Sequence, residues 1–525
     1  MGNIVVLFAG FSLDSARNNF CLEKQFGGKS SAELALKWAS SNGTKTFVLS
    51  VPENSEKLSS VVAGISPSSS SEIEIIEEDS WTASKIALKI AECCKKSECD
   101  SALYSWIDTP FLNNSITKKL LGMHAEYIAE YTFADGFPYG VAPEVINAGT
   151  ASIIANMAGE DAPATRTALF DVMKREINSF EIETLVSDFD YRPLRIFLES
   201  SSKGGLVSCS ALFSSLNLNE NDIAEFDADE LCSVASKNPS VIRNIPHFFD
   251  IQITSKVNHK TLYSPENANI GIENLPDMSV CEFEKLAEKI SEFSPGAVVS
   301  LSAFGEATKH PDFLEFVGIL SKKGLRILVE TDGLCVDSEF VSSVAGKISG
   351  SEIDWIVDID AADSSVYAKV RNAPESDFQK AVDAVSALSV AFKNHVYPQL
   401  TRMNENEENL EKFFRFWRNA ESPSNGKIII KKYDSLCSAL PDRKPADLSP
   451  LRRVPCWHLS RDFVILSDGS VPKCRSCGKS QILGNAFAES LSDIWDSASP
   501  VYAEHVSGNY REKCGGCDEF YTFSF

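Results

Sequence analysis

Twice along this chain, short uninterrupted apolar runs alternate with stretches of helical periodicity, and that alternation constrains the fold more than any other feature. A strand covered on both faces keeps no polar side, so it reads as a continuous apolar run. Helices filling the gaps imply parallel neighbours. Over residues 1–165 the spacing predicts strands at Ile4–Ala9, Lys45–Val51, Glu72–Ile76 and Ala102–Ile107, with helices at Ser31–Ser40 and Thr82–Cys94. The run Ser66–Ser71 reads as a surface loop. This first domain is expected to be a doubly wound α/β sheet. Residues 166–243 are less regular, with one strand-like run at Leu194–Leu198, and read as a connecting subdomain.

The second block covers residues 244–445. Strands are expected at Phe249–Thr254, Ala297–Ala303, Arg326–Thr331, Trp355–Asp360, Val396–Met403 and Lys427–Tyr433. Helical patterns fill the gaps, among them Cys281–Glu292, Pro311–Lys323 and Phe378–Phe392. Six consecutive βα units suit a partial (β/α)6 barrel of the TIM type, which places chemistry at the carboxyl ends of its strands. Those ends carry Thr254, Phe304-Gly305-Glu306, Thr331-Asp332-Gly333, Asp360 and Arg402. The acidic members Glu306, Asp332, Asp358 and Asp360 suit a cation or an amine, or cap helices.

The chain has 525 residues, 43% of them apolar, which excludes a largely disordered protein. Its formal charge of −23, with no long basic run, argues against nucleic acid and anionic membrane as partners. The longest apolar opening, Ile4–Ala9, is too short to span a bilayer and lacks a preceding basic residue. Gly2 is followed by Val6 where a myristoylation signal wants Ser or Thr. Fourteen cysteines without an export signal point to a reducing compartment, the cytoplasm.

Five of those cysteines crowd residues 446–525: Cys456, Cys474, Cys477, Cys514 and Cys517. Pairs separated by two residues let two sulfurs face one metal, and Gly515-Gly516 offers positive φ if the turn needs it. Phe463–Leu466 and Val471 flank the turn Ser467-Asp468-Gly469-Ser470 as in a hairpin. Lys473, Arg475 and Lys513 favour thiolate. Four thiolates suit zinc and iron–sulfur clusters alike, and spacing does not separate them. His310 and His458 stand beside candidate chemistry and read as hydrogen-bonded structural residues.

The segments Arg453-Val-Pro-Cys-Trp-His-Leu, Ile465-Leu-Ser-Asp-Gly-Ser-Val, Leu483-Gly-Asn, Ile494-Trp and Cys514-Gly-Gly-Cys resemble a SPASM domain, the auxiliary iron–sulfur extension of radical-SAM enzymes. The resemblance implies one [4Fe–4S] cluster on Cys456, Cys474, Cys514 and Cys517, with Cys477 an alternate ligand or a bystander. The preceding barrel resembles a radical-SAM core. Gly305-Glu306 matches the turn that holds the amino group of S-adenosylmethionine, and Thr331-Asp332-Gly333 matches the family's Thr-Asn-Gly. Asp360-Ala-Ala-Asp with Tyr367 and Arg371, and Val396–Asn404, match later strand segments. The defining C-x₃-C-x₂-C triad is replaced by Val257, Thr261 and Ser264, and Phe304 and Ala307 replace the turn's first Gly and its Pro. Loss of radical chemistry is therefore expected, with Gly305, Glu306, Asp332 and Gly333 left as a weak cofactor site.

Ala9-Gly10, Arg17, Lys24 and Trp106-Ile-Asp108-Thr-Pro110 resemble GT-A nucleotidyltransferases, in which Asp108 would hold Mg²⁺ and the loop with Arg17 a nucleotide. Phe11 stands where that loop has its second Gly. The aromatic stretch Tyr127–Glu144 reads as a lid, a docking surface or a packed loop. Taken in order, the parts resemble the spiro-SPASM proteins. Three function classes follow: an iron–sulfur protein on a radical-SAM scaffold, a Mg²⁺-dependent nucleotidyltransferase, and a zinc-stabilised scaffold. The substrate, or the small-molecule or protein partner, is not specified by the sequence.

Overall fold

A computed structural model describes residues 3–13, 19–65, 72–348, 352–511 and 513–522, which divide into two units, Met1–Asn244 and Ile245–Phe525. The Ser66–Ser71 loop and Arg17 lie outside the described residues.

The first unit holds seven strands: β1 (Ile4–Ala9), β2 (Lys45–Ser50), β3 (Glu72–Glu77), β4 (Ser101–Trp106), β5 (Tyr131–Asp135), β6 (Glu144–Asn147) and β7 (Ile182–Val186). They form one sheet in the order β3-β2-β1-β4-β6-β5-β7. The β3-β2-β1-β4 half is parallel, and β1 is buried along its whole length, which is why its sequence shows no polar face. In the other half β6 runs antiparallel to both β4 and β5. Helix Ser31–Asn42 begins at a capping box in which Ser30 and Glu33 satisfy each other's backbone amides. Its buried Trp38 donates to Thr117 Oγ1 at 3.2 Å. The run Leu194–Leu198 is not a strand. Pro193 helps start a 3-10 turn at Arg192–Leu194, and only an isolated bridge links Phe197 to Tyr139. The strand of that region is β7.

The second unit is built on β8 (Phe248–Ile251), β9 (Val298–Ser300), β10 (Arg326–Thr331), β11 (Ile353–Asp358), β12 (Val396–Arg402) and β13 (Ile429–Lys432), parallel and in sequential order. This is the curled half-barrel expected from the sequence. A seventh strand, β14 (Asp462–Ile465), comes from the cysteine-rich region and pairs parallel with β8. The two last strands, β15 (Ser470–Pro472) and β16 (Ile482–Asn485), pair antiparallel with each other. The turn at Asp468-Gly469 forms, with Gly469 at φ +81° and the Leu466 amide donating across it to the Ser470 carbonyl at 2.9 Å, but its flanks do not continue as a paired ladder. The segments on its two sides pair into different sheets, because buried Phe463 and Ile465 extend the barrel core. Val471, Leu491, Ile494 and Trp495 join that same core, so the tail and the barrel share one apolar interior. Lys289 reinforces the join by donating to the carbonyls of Ala486 and Glu489 at 2.8 and 2.9 Å.

Candidate functional site

The cysteines of the tail are carried by separate local devices. Cys456 precedes the short helix Trp457–Arg461, and Cys474 follows β15 and opens the 3-10 stretch Arg475–Ser480. Cys514 lies in the helical turn Lys513–Gly516, with Cys517 next to it. Gly515 and Gly516 are helical there and not among the glycines of positive φ, so the left-handed knuckle foreseen from Gly-Gly does not form. The tail's glycine of positive φ at a cysteine turn is Gly478, whose Cβ would lie 2.3 Å from the Ile270 carbonyl.

These devices bring the thiols into one neighbourhood. Cys474 Sγ is 3.4 Å from Cys477 Sγ, and Cys456 acts through space on Cys474 and is acted on by Cys514 and Cys517. Burial pushes the Cys456 thiol up to about 12. The hydrogen bond from Cys474 brings Cys477 down to about 7, helped by Lys473 and Lys513. Among the described residues, no three His, Cys, Asp or Glu side chains are gathered in a ready-made group for one metal ion. All fourteen cysteines are free thiols.

The sequence reading missed Cys437. Its thiol shares a hydrogen bond with Cys517, which lowers the Cys517 pKa and raises its own. Leu436, Cys437 and Ser438 all take left-handed conformations, at φ +50°, +55° and +66°. Three consecutive non-glycine residues held there are strained, and such strain concentrates at functional sites. The available signal was its place just beyond β13, at the carboxyl end of a barrel strand.

A cavity of about 710 Å³ runs between the barrel interior and this cluster, within the range of small-molecule sites. Barrel residues Asp250, Glu330, Gln399 and Lys431 line it together with Cys456, Cys474 and Cys517.

The other strand ends are closed by their own hydrogen bonds. Glu306 Oε1 accepts from Thr308 Oγ1 at 2.6 Å and Thr331 Oγ1 at 2.8 Å, and Oε2 accepts from the Asp332 amide at 2.9 Å. Burial, then the Asp332 charge, raises its pKa to about 7. Asp332 in turn accepts from Asn258 at 3.0 and 3.1 Å. Gly305 and Gly333 both sit at φ +78°, and a Cβ on Gly305 would meet the Thr254 carbonyl at 2.2 Å. Thr261 and Ser264 are buried and bonded to each other at 3.1 Å, while the Tyr263 hydroxyl between them donates to Asp360 at 2.6 Å. Arg371 also donates to Asp360, at 2.7 Å, and Arg402 pairs with Glu407. Both ring nitrogens of His310 and of His458 are hydrogen-bonded.

In the first unit, Asp108 follows β4 and is fully buried. Arg166 grips both of its oxygens, at 3.2 Å for Oδ1, and also reaches Glu199, Ser201 and the Tyr139 hydroxyl. Its guanidinium lies 4.3 Å from the Trp106 ring and 4.9 Å from that of Tyr139. Phe11 stacks on Trp106 at 5.5 Å. The described start of the loop after β1 is therefore packed by aromatics at Phe11, and the carboxylate matched to Mg²⁺ is ion-paired. Lys24 is exposed. The stretch Tyr127–Glu144 supplies β5 and packs Tyr131 into the core.

Residues 456–518 match the SPASM family, an iron–sulfur cluster-binding domain. An uncharacterized protein of Treponema pallidum (strain Nichols) is 35% identical over 370 residues, 68% of this chain and 98% of that one. Among solved structures, the chain is similar to Streptococcus suis SuiB bound to precursor peptide SuiA, at 12% identity over 75% of this chain and 93% of that one, TM-score 0.42. It is similar to BtrN in complex with AdoMet and 2-DOIA, at 16% identity over 53% and 94%, TM-score 0.35. A cytidylyltransferase from Leptospira borgpetersenii serovar Hardjo-bovis (strain JB197) matches at 14% identity over 46% and 98%, TM-score 0.38.

Proposed function

The chain belongs to the family of its Treponema pallidum relative and carries a SPASM iron–sulfur cluster-binding domain; on that premise we propose that it holds one [4Fe–4S] cluster on Cys456, Cys474, Cys514 and Cys517 and does not cleave S-adenosylmethionine. The observation that supports the reading best is that Cys456, Cys474 and Cys517, from three separate chain segments, line one cavity. Four thiolates are the donor set that such a cluster requires. When bound, the cluster supplies one-electron chemistry and ties the tail's short elements together. Lys473 lowers the cost of the thiolate form at Cys514 and, with Lys513, at Cys477, and Cys437 and Cys477 each stand by one ligand as hydrogen-bond partners.

The barrel's own strand ends support the second half of the proposal. Val257, Thr261 and Ser264 offer no thiolate for iron. The Glu306 oxygens are occupied by Thr308, Thr331 and the Asp332 amide. We assign no nucleotidyl transfer to the first unit either, since Arg166 occupies the carboxylate that a Mg²⁺ would need. Incubating dithionite-reduced, anaerobically prepared protein with S-adenosylmethionine should yield no 5′-deoxyadenosine. Its formation in stoichiometric amount would overturn the reading.

A further inference from the structure

We propose that the cavity beside the cysteines binds a small zwitterion with an apolar body, its carboxylate held by Arg475 and its ammonium by Asp250. Most charged groups lining the cavity are already committed. Lys431 pairs with Glu330 at 2.9 Å, Lys432 with Asp518 and Glu519, and His458 with Asp462. Asp434 accepts from the Leu436 amide at 2.7 Å and so serves its own turn. Three lining charges have no ion pair among the described residues, Arg475, Asp250 and Asp434, and the last is spent on its own turn. Arg475 lines the cavity with no carboxylate within ion-pair distance among the described residues, and Asp250 is buried there, hydrogen-bonded to Ser300 but with no cation within that distance. The two act on each other through space but do not meet. A buried charge left without a partner is costly, so a ligand that supplies the opposite charge to each gains more than it would in water.

The guanidinium is held for this purpose. Its ring partner is Phe304, 5.4 Å away, which stands where the radical-SAM pattern has a glycine. Stacking on the flat face leaves the N–H fork free for bidentate recognition of a carboxylate. The 3-10 stretch that carries Arg475 is fastened to the barrel side, because the Lys479 amide donates to the Ile270 carbonyl at 2.8 Å. Asp250 is fixed on β8, between its paired neighbours β9 and β14. Phe248, Ile356 and Val464 give the cavity an apolar wall for the body of the ligand. Neither Arg475 nor Asp250 is a metal ligand in the reading above, so the two proposals fail separately.

The test uses full-length protein purified without oxygen, with metal content measured on every sample. Saturation-transfer NMR and calorimetry compare L-phenylalanine, 3-phenylpropionate and phenethylamine, which share one body and carry both charges, the carboxylate alone and the ammonium alone. L-Phenylalanine should bind about tenfold or more tightly than either analogue, the loss expected for one missing charge-assisted contact. Asp250→Asn should lower phenylalanine to the level of phenylpropionate. Arg475→Met should lower it to the level of phenethylamine at unchanged metal content; if that variant does not fold, the Asp250→Asn arm decides alone. Equal binding of the three probes, no binding at millimolar concentration, or phenylalanine binding unaffected by Asp250→Asn would overturn the proposal. Loss of metal with ligand binding retained would count against the cluster and leave this site standing.

Discussion

Replacing Arg166 by Met removes the cation from a buried charge cluster while keeping much of its volume. Asp108 is fully buried, and the Glu199 carboxylate is only 13% exposed. Burial and the Asp108 charge already raise the Glu199 pKa with the guanidinium present. Without it, two carboxylates share an interior site, and breaking a buried pair by deleting one partner costs about 3–5 kcal/mol. Loss of the ring contacts with Trp106 and Tyr139 adds to this. Against a typical total of about 5–15 kcal/mol, the first unit should unfold at markedly lower urea. Urea titration followed by circular dichroism and tryptophan fluorescence measures the shift. Adding Asp108→Asn to Arg166→Met should recover part of the loss, because the two sites are coupled. Millimolar Mg²⁺ should stabilise the Arg166→Met protein, whose carboxylates are then free, and leave the wild type unchanged. A loss below about 1 kcal/mol, the value of a surface pair, would refute the reasoning. So would equal stabilisation of the wild type by Mg²⁺.

Glu306 gives a pH prediction. Its folded pKa of about 7 lies above its ordinary value of 4.5, so its contribution to stability is full below pH 4.5 and is lost as pH rises through 7. The fall should be roughly 3 kcal/mol across that window and absent in Glu306→Gln, read by denaturant titration at a series of pH values. Gly305→Ala should cost about 2 kcal/mol or more, seen as a lowered melting temperature, since its Cβ would meet the Thr254 carbonyl at 2.2 Å in a left-handed conformation. In metal-free protein, Cys437→Ala should raise the Cys517 thiol pKa by removing its hydrogen bond, slowing alkylation of Cys517 near neutral pH as followed by mass spectrometry. Unchanged labelling would show that the hydrogen bond does not tune Cys517.

The legible parts of the fold were those in which each strand is buried on both faces. Ile4–Ala9 and Arg326–Thr331 are strands over the residues that the apolar runs mark. The far half of the first sheet was not legible. Its β5, β6 and β7 are short, and β7 is Ile-Glu-Thr-Leu-Val with no buried position, so no apolar run announces it. Leu194–Leu198 has the composition of a strand, but Pro193 and the left-handed Arg195 make a turn. The Asp468-Gly469 signal was local and correct for the turn. Pairing of β14 with β8 depends on residues more than two hundred positions away, which a local pattern does not carry. Cys437 escaped for the same reason: no second cysteine stands near it in sequence, and its partner, Cys517, is adjacent only in the folded chain. Arg166 was equally invisible as the partner of Asp108, since nothing in its surroundings marks it as an ion-pair residue.

The cluster assignment is tested most directly by counting iron, zinc and acid-labile sulfide in protein purified without oxygen, for the wild type and two double variants. The account predicts about four irons and four sulfides per chain in the wild type, as the composition of one [4Fe–4S] cluster requires. It predicts retention of that content in Cys437→Ala, Cys477→Ala and its loss in Cys474→Ala, Cys514→Ala. Zinc with no sulfide would contradict the iron assignment, and a full cluster in the Cys474→Ala, Cys514→Ala protein would contradict the ligands.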